Sequence, residues 1–396
     1  MREVNRSLVL DVLRDGGEMS RVEVARRTRL SKPTVSAIVD ALLGDGLVLE
    51  VGTGPSQARG GRPPTLLAFN DTQVAYGGVH LGAHHSRVVL ADGRGRTLLE
   101  SGFETPQGDV DATLQAVGEA VLHTARRAGA GSTRLGACGV AVAGIVDTQA
   151  GRCRDSAALG WRDVDVRTPL ESTLGMPVVL TSTLNAAAFA EGRLGRAAGL
   201  RTFAHVHAGT GVDAAILVDG VPLQGAAQMA GGIGHCTVDD RGPHCECGAQ
   251  GCLQTVASAA AVSARVAHEL VRGEESLLRR YRGALDGAVV AQAAYEGDAL
   301  AVRVMQDAGR MLGRAVAYIV NLIDPDCVVI AGPLVHARDV LLDAVRDEAA
   351  RHARRHHVTV ECSSLGQRAP LLGTVQLAMA HGTPSYRIVG RSAGRR

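Results

Sequence analysis

Val35, Ile38, Val39 and Leu42 recur at the spacing that places side chains on one face of a helix, so residues 31–43 are expected to be helical with that face in a core. Ser31 is the cap candidate, because its hydroxyl can accept from an unpaired N–H of the first turn, and Pro33 is tolerated there. Ser20 followed by Glu23 has the form of a capping box, which starts an earlier helix at Ser20 and leaves a tight turn between the two. Gly46-Leu-Val-Leu-Glu50, then a Gly/Ser-rich stretch ending in Arg59-Gly-Gly-Arg62-Pro63-Pro64, then Leu66-Leu67, predict a β-wing. Beyond residue 70 the chain repeats itself. His80 to Gly93 aligns without gaps on His207 to Gly220, with His, Gly, Leu, Asp and Gly at matching places. In each copy a strand ends in a Gly-containing loop, a β-rich run follows, and an Asp-Gly turn closes toward a third strand. Helical patterning follows both copies, at Ala112 to Arg127 and at Ala257 to Val271.

Two short helices joined by a tight turn and followed by a wing form a DNA-reading element. The core face being assigned, Ser31, Lys32, Thr34 and Ser36 remain near the start of the second helix, the part of a recognition helix that meets base edges in the major groove. Lys32 is the only lysine in the chain. Arg59 and Arg62, on a glycine-rich stretch, suit a narrow minor groove, where the potential is most negative. At 396 residues, 46% of them hydrophobic, the chain is long enough for two cores beyond this small module. The net charge of +2 rules out a globally basic DNA-binding body, so contact must rest on a local patch of Arg26, Arg27, Arg29, Lys32, Arg59 and Arg62 and be salt-dependent. The first residues carry no apolar signal region and no later apolar run reaches membrane-spanning length, which predicts a cytoplasmic protein with no membrane partner.

The sharpest chemistry lies at 235–252, His235-Cys-Thr-Val-Asp-Asp-Arg-Gly-Pro-His-Cys245-Glu-Cys247-Gly-Ala-Gln-Gly-Cys252. Cys-x-Cys-Gly-x-x-Gly-Cys wraps a glycine turn around one point, as a tetrahedral metal site needs, and Zn2+ is the economical ion. His235, Cys236 and His244 are candidates for the remaining place. Soft ligands without a carboxylate predict a closed structural site rather than a catalytic one. Cys138, Cys153, Cys327 and Cys362 are scattered and read as small core residues. His80, His84, His85 and His207 invite a second metal site, but loop and core histidines are the simpler account. The run Arg351 to His357 reads as a solvated basic helix end.

On these motifs the chain resembles regulators of the ROK family (repressors, open reading frames and kinases). The resemblance extends through Gly139 to Asp147, Leu159-Gly-Trp161-Arg, Pro177-Val through Asn185 to Glu191, Gly209-Thr-Gly211, Gly231-Gly-Ile-Gly-His235, the cysteine cluster, and Asn321-Leu-Ile-Asp-Pro325 leading to Ile330-Ala-Gly332. It implies an α/β fold: a winged helix-turn-helix at 1–70, followed by a two-lobed, actin-like (duplicated ribonuclease H-like) domain. The expected lobes are 71–190, completed by a C-terminal helix at about 371–385, and 191–370, which carries the zinc loop. It further implies zinc on His235, Cys245, Cys247 and Cys252, a double-stranded DNA operator, a homodimer or tetramer, and a sugar or sugar-phosphate effector.

The departures from the family pattern bear on activity. The kinases place a catalytic Asp within Asn-Asp-x-Asn; here the segment is Ser182-Thr183-Leu184-Asn185. Thr183 does not ionise near neutral pH, so the general-base contribution of about a hundred- to ten-thousandfold is lost. His80 replaces the Asp of the first phosphate loop, Gly232 the Glu before Ile-Gly-His, and Gln254 the Glu after Gly-Cys-Leu. The implied effector contacts are therefore Ser182, Thr183, Asn185, Gly232, His235 and Gln254, several of them altered. A catalytically inactive regulator of carbohydrate-related genes, more repressor than activator, is the expectation; an ATP-dependent kinase of a hexose or amino sugar is the alternative.

Overall fold

The computed structural model describes residues 2–54, 63–129, 134–281, 285–354 and 358–382, and these fall into two compact units, 1–181 with 374–396, and 182–373. In the first unit α1 (Arg2–Gly16), α2 (Arg21–Thr28) and α3 (Lys32–Gly44) pack beside a small sheet of β1 (Met19–Ser20), β2 (Val48–Thr53) and β3 (Thr65–Phe69), ordered β1-β3-β2. Val35, Ile38, Val39 and Leu42 are buried, as their spacing predicts, and α3 packs on α1 and α2, where Val9, Leu10, Leu13, Val24 and Ala25 are buried too. Each such aliphatic side chain contributes about 1.5 to 3 kcal/mol by burial. The sequence reading had omitted α1, although Val9, Leu10 and Leu13 share one helical face.

The remainder of this unit is built on a five-stranded sheet of β4 (Val74–Leu81), β5 (His85–Asp92), β6 (Thr97–Glu104), β7 (Arg134–Val142) and β11 (Val178–Ser182), in the order β11-β7-β4-β5-β6. β4 and β5 pair antiparallel, while β4 and β7 pair parallel. α4 (Val110–Arg127), capped by Asp109 on the amide of Ala112, and α5 (Arg167–Leu174) contribute the helical half of the core. A second small sheet of β8 (Ile145–Asp147), β9 (Arg152–Ser156) and β10 (Trp161–Asp165) was not foreseen. The C-terminal helix, which runs Ala369–Gly382, returns to this unit from Thr374. It lies directly on the sheet because Gly139 has no side chain: a Cβ there would stand 2.1 Å from the Thr374 carbonyl oxygen.

A polar joint ties the helix-turn-helix to the β5–β6 turn. Asp71 accepts from both Arg94 (3.0 Å) and Arg96 (2.7 Å), and Arg96 also reaches Asp92 (2.7 Å). Arg94 donates onward to the carbonyl of Arg14 at the end of α1 (3.1 Å), whose guanidinium lies 5.1 Å from the centroid of the Phe69 ring.

The second unit repeats the plan. α6 (Thr183–Leu194) leads into β12 (Phe203–Ala208), β13 (Val212–Val218) and β14 (Val221–Pro222). With β15 (Cys327–Ala331) and β16 (Thr359–Cys362), these form a sheet ordered β14-β13-β12-β15-β16. Here again the first two strands pair antiparallel and the third addition is parallel. The loops 82–84 and 209–211 thus occupy equivalent hairpin positions, as the internal repeat predicts. α7 (Gln254–Ala257), α8 (Ala259–Val271), α9 (Gly287–Tyr295), α10 (Ala299–Ile323) and α11 (Asp339–His352) supply the core around this sheet. No helix of the described residues is long and apolar enough to cross a membrane.

Candidate functional site

The recognition helix is built by its cap. Ser31 Oγ accepts from the amide of Thr34 (3.3 Å) and lies 2.7 Å from Thr34 Oγ1, so these two hydroxyls bind each other at the head of α3. Lys32 follows at the first helical position, exposed, with Pro33 beside it. Ser36 is half-buried and its carbonyl accepts from Arg21 (3.3 Å), which also pairs with Asp40 (2.7 Å) one turn further along α3. This Arg21–Asp40 pair on the outer side of the helix was missed by sequence reasoning; Asp40, four residues after Ser36, was its only signal. The first helix starts at Ser20, whose hydroxyl accepts from the Glu23 amide (3.3 Å). The expected reciprocal half of the capping box does not form. Glu23 instead bonds Arg26 (2.7 Å) and Arg27 (3.0 Å), which hold its carboxyl below its ordinary range, because two charge-assisted bonds outcompete one bond to a neutral amide. Arg26 and Arg27 are therefore partly neutralised, whereas Lys32 and Arg29 form no ion pair among the described residues. Arg59 and Arg62 lie outside the described residues, although β2 and β3 that lead to them pair as a wing should.

The 235–252 segment is a turn-rich loop closed by isolated bridges between Thr237 and Cys252 and between His244 and Gln250. Gly251 adopts φ +71, and a Cβ there would lie 1.6 Å from the Asp239 carbonyl, so only glycine permits the closure. The ligand atoms of His235, Cys245, Cys247 and Cys252 all lie within 4.8 Å of one another. Cys245 Sγ stands 3.7 Å from His235 Nδ1, and Cys247 Sγ 3.7 Å from Cys252 Sγ. A tetrahedral ion with metal–sulfur bonds of about 2.3 Å separates its ligands by about that distance. Three thiols and an imidazole, preassembled at that spacing, fit zinc. The amide of Cys247 donates to Cys245 and brings its thiol down to about 7, while burial and the neighbouring thiols push Cys252 up to about 12, so Cys245 ionises before Cys252. Cys236 and His244, the rival candidates, stand outside this cluster, and His80, His84, His85 and His207 form no comparable group among the described residues. Cys138, Cys153 and Cys327 are buried, as expected of core thiols, whereas Cys362 is only half-buried at the edge of the second unit's core.

The implied effector contacts lie on three elements: α6 and the turn Ile233–His235, which both pack against β13, and the start of α7, which packs against that turn. Ser182 Oγ is engaged as the α6 cap, accepting from the Asn185 amide (3.2 Å). Thr183 Oγ1 is buried with no hydrogen-bond partner among the described residues, so a polar atom waits where the kinases carry their base. His235 belongs to the metal cluster, and Gln254, at the start of α7, donates to Cys245 Sγ (3.5 Å) and to Glu246 (3.2 Å).

Comparison with known proteins agrees with this arrangement. The model of the ROK family matches residues 76–381, and that of the MarR family matches residues 3–60. A protein of Caldicellulosiruptor sp. (strain Rt8B.4), provisionally named a xylose repressor, is 30% identical over 387 residues, 96% of each chain. The DNA-binding transcriptional dual regulator NagC of Escherichia coli (strain K12) is 28% identical, covering 96% of this chain and 94% of its own. Among solved structures, a ROK family transcriptional regulator described as a homolog of the E. coli MLC protein has the same fold, with a TM-score of 0.87 at 24% identity over 96% of this chain and 97% of that one. Since the matched region holds both five-stranded sheets almost entirely and the whole cysteine cluster, and regulators match the chain nearly end to end, the chain belongs to the ROK family.

Proposed function

We propose that the chain is a DNA-binding transcriptional repressor whose helix-turn-helix reads an operator through α3 and the wing, and whose second unit senses a sugar or sugar phosphate. Zn2+ on His235, Cys245, Cys247 and Cys252 holds the 235–252 loop in shape, and the working species is a homo-oligomer that places two recognition helices on paired half-sites. One observation carries the reading: a capped recognition helix is joined in one chain to a kinase-like domain whose base position holds Thr183 rather than a carboxylate. Such a domain retains the shape for binding a sugar without the group that would take its hydroxyl proton. The repressor names of the end-to-end relatives, which include a protein of Escherichia coli O157:H7 named N-acetylglucosamine repressor and 28% identical over 396 residues, support the same assignment, and xylose and N-acetylglucosamine are the first effectors to try.

The test is fluorescence anisotropy on DNA from upstream of the chain's own gene, titrated with xylose, N-acetylglucosamine and their phosphates, beside an ATP-turnover assay. The expected result is salt-sensitive, sequence-selective binding that one of these compounds weakens, with no sugar-dependent ATP consumption. Sugar-dependent turnover, or equal affinity for operator and scrambled DNA, would overturn the assignment.

A further inference from the structure

Gln254 opens α7 two residues after the metal ligand Cys252, and its side chain turns back toward the cluster. Its amide nitrogen stands 3.5 Å from Cys245 Sγ and 3.2 Å from the Glu246 carboxylate. A metal-bound thiolate and a carboxylate both accept, so the NH2 end of the amide must face them and its carbonyl must point away. That carbonyl lies over Gly211 and Gly234, where a Cβ would stand 3.6 Å and 3.3 Å from it. Small residues at both places leave room for it.

Three thiolates and a neutral imidazole around a dication leave one excess negative charge, concentrated on the sulfurs. An N–H donor aimed at one sulfur offsets that charge and fixes the direction of its lone pairs, as partners of metal ligands commonly do. We propose that Gln254 is a positioning residue of the metal centre, holding the Cys245 sulfur through an N–H···S hydrogen bond. The proposal rests on His235, Cys245, Cys247 and Cys252 being zinc ligands.

The experiment uses the full-length chain. Zinc content is measured by elemental analysis, zinc affinity by competition with a chelating dye, and the sulfur-to-metal charge-transfer band after substitution with Co2+. These are compared for the wild type, Gln254→Met, Gln254→Glu and Glu246→Gln. Removing the donor in either Gln254 variant should lower zinc affinity about 10- to 100-fold and move the cobalt band. Glu246→Gln, which leaves the N–H···S bond in place, should keep both near wild type. Gln254→Glu has the native shape and carries the test should the Met variant disturb folding. Wild-type affinity and an unmoved band in a folded Gln254 variant would overturn the proposal. A wild-type chain that binds no zinc would overturn the metal assignment itself, and this inference with it.

Discussion

Lys32 offers the most direct test of how the chain meets DNA. It is exposed at the first helical position of α3, where the unpaired amides of the first turn add partial positive charge, and no ion pair among the described residues neutralises it. Lys32→Ala therefore removes a free cation, whereas Arg26→Ala removes one already bound to Glu23. Each phosphate contact contributes about 0.9 to the slope of log affinity against log salt. If Lys32 makes one such contact, its loss should flatten the slope by about 0.9 per bound protomer, so the defect should shrink by roughly 3.5-fold between about 50 and 200 mM salt. Arg26→Ala should change the slope by less. Anisotropy titrations across that range, on operator and on scrambled DNA, measure both slopes, and a phosphate contact should weaken the two DNAs alike. An unchanged slope in Lys32→Ala, or an equal change in Arg26→Ala, would refute the charge accounting around α3.

Two further outcomes concern the second unit. Cys247→Ser removes an exposed ligand of the cluster, so the variant should lose zinc, melt where chelator-treated wild type melts, and bind operator more weakly; wild-type operator affinity in a zinc-free variant would separate the metal loop from DNA binding. His205 on β12 is 1% exposed with Nδ1 unpartnered among the described residues, and burial, assisted by His207, brings its pKa down to about 3. The folded group is thus neutral where the unfolded one begins to protonate, so its stability contribution is complete above about pH 6.5 and is lost as pH falls toward 3. Urea unfolding followed by circular dichroism should show wild type losing about 2 kcal/mol more than His205→Val between pH 7 and pH 5, and equal losses would show that His205 is accessible to protons in the fold.

Where one residue type at one spacing forces an outcome, the sequence was a sufficient guide. Ser20 and Ser31 start their helices, Val35, Ile38, Val39 and Leu42 are buried, and the aligned runs at 80–93 and 207–220 become equivalent hairpins. The cysteine spacing placed the metal cluster, but choosing His235 over Cys236 and His244 required the family pattern, since adjacent residues are equivalent in sequence and only the fold separates them. Competition between partners was not legible. Glu23 had three possible partners at helical spacing and took the two charged ones. The bond of Gln254 to Cys245 was likewise hidden, because the two are nine residues apart along a loop whose path depends on Gly251.

The joint around Asp71 limits how regulators of this kind can exchange parts. Arg14 and Phe69 belong to the DNA-binding module, Asp92, Arg94 and Arg96 to the β5–β6 turn, and Asp71 lies on the connection between them. A recombination crossover placed at the sequence boundary near residue 70 would divide this set and leave arginines of one parent facing the other parent's surface. A graft of the DNA-reading module onto another domain should therefore carry the first hairpin with it, so that Arg14, Asp71, Asp92, Arg94 and Arg96 keep their partners.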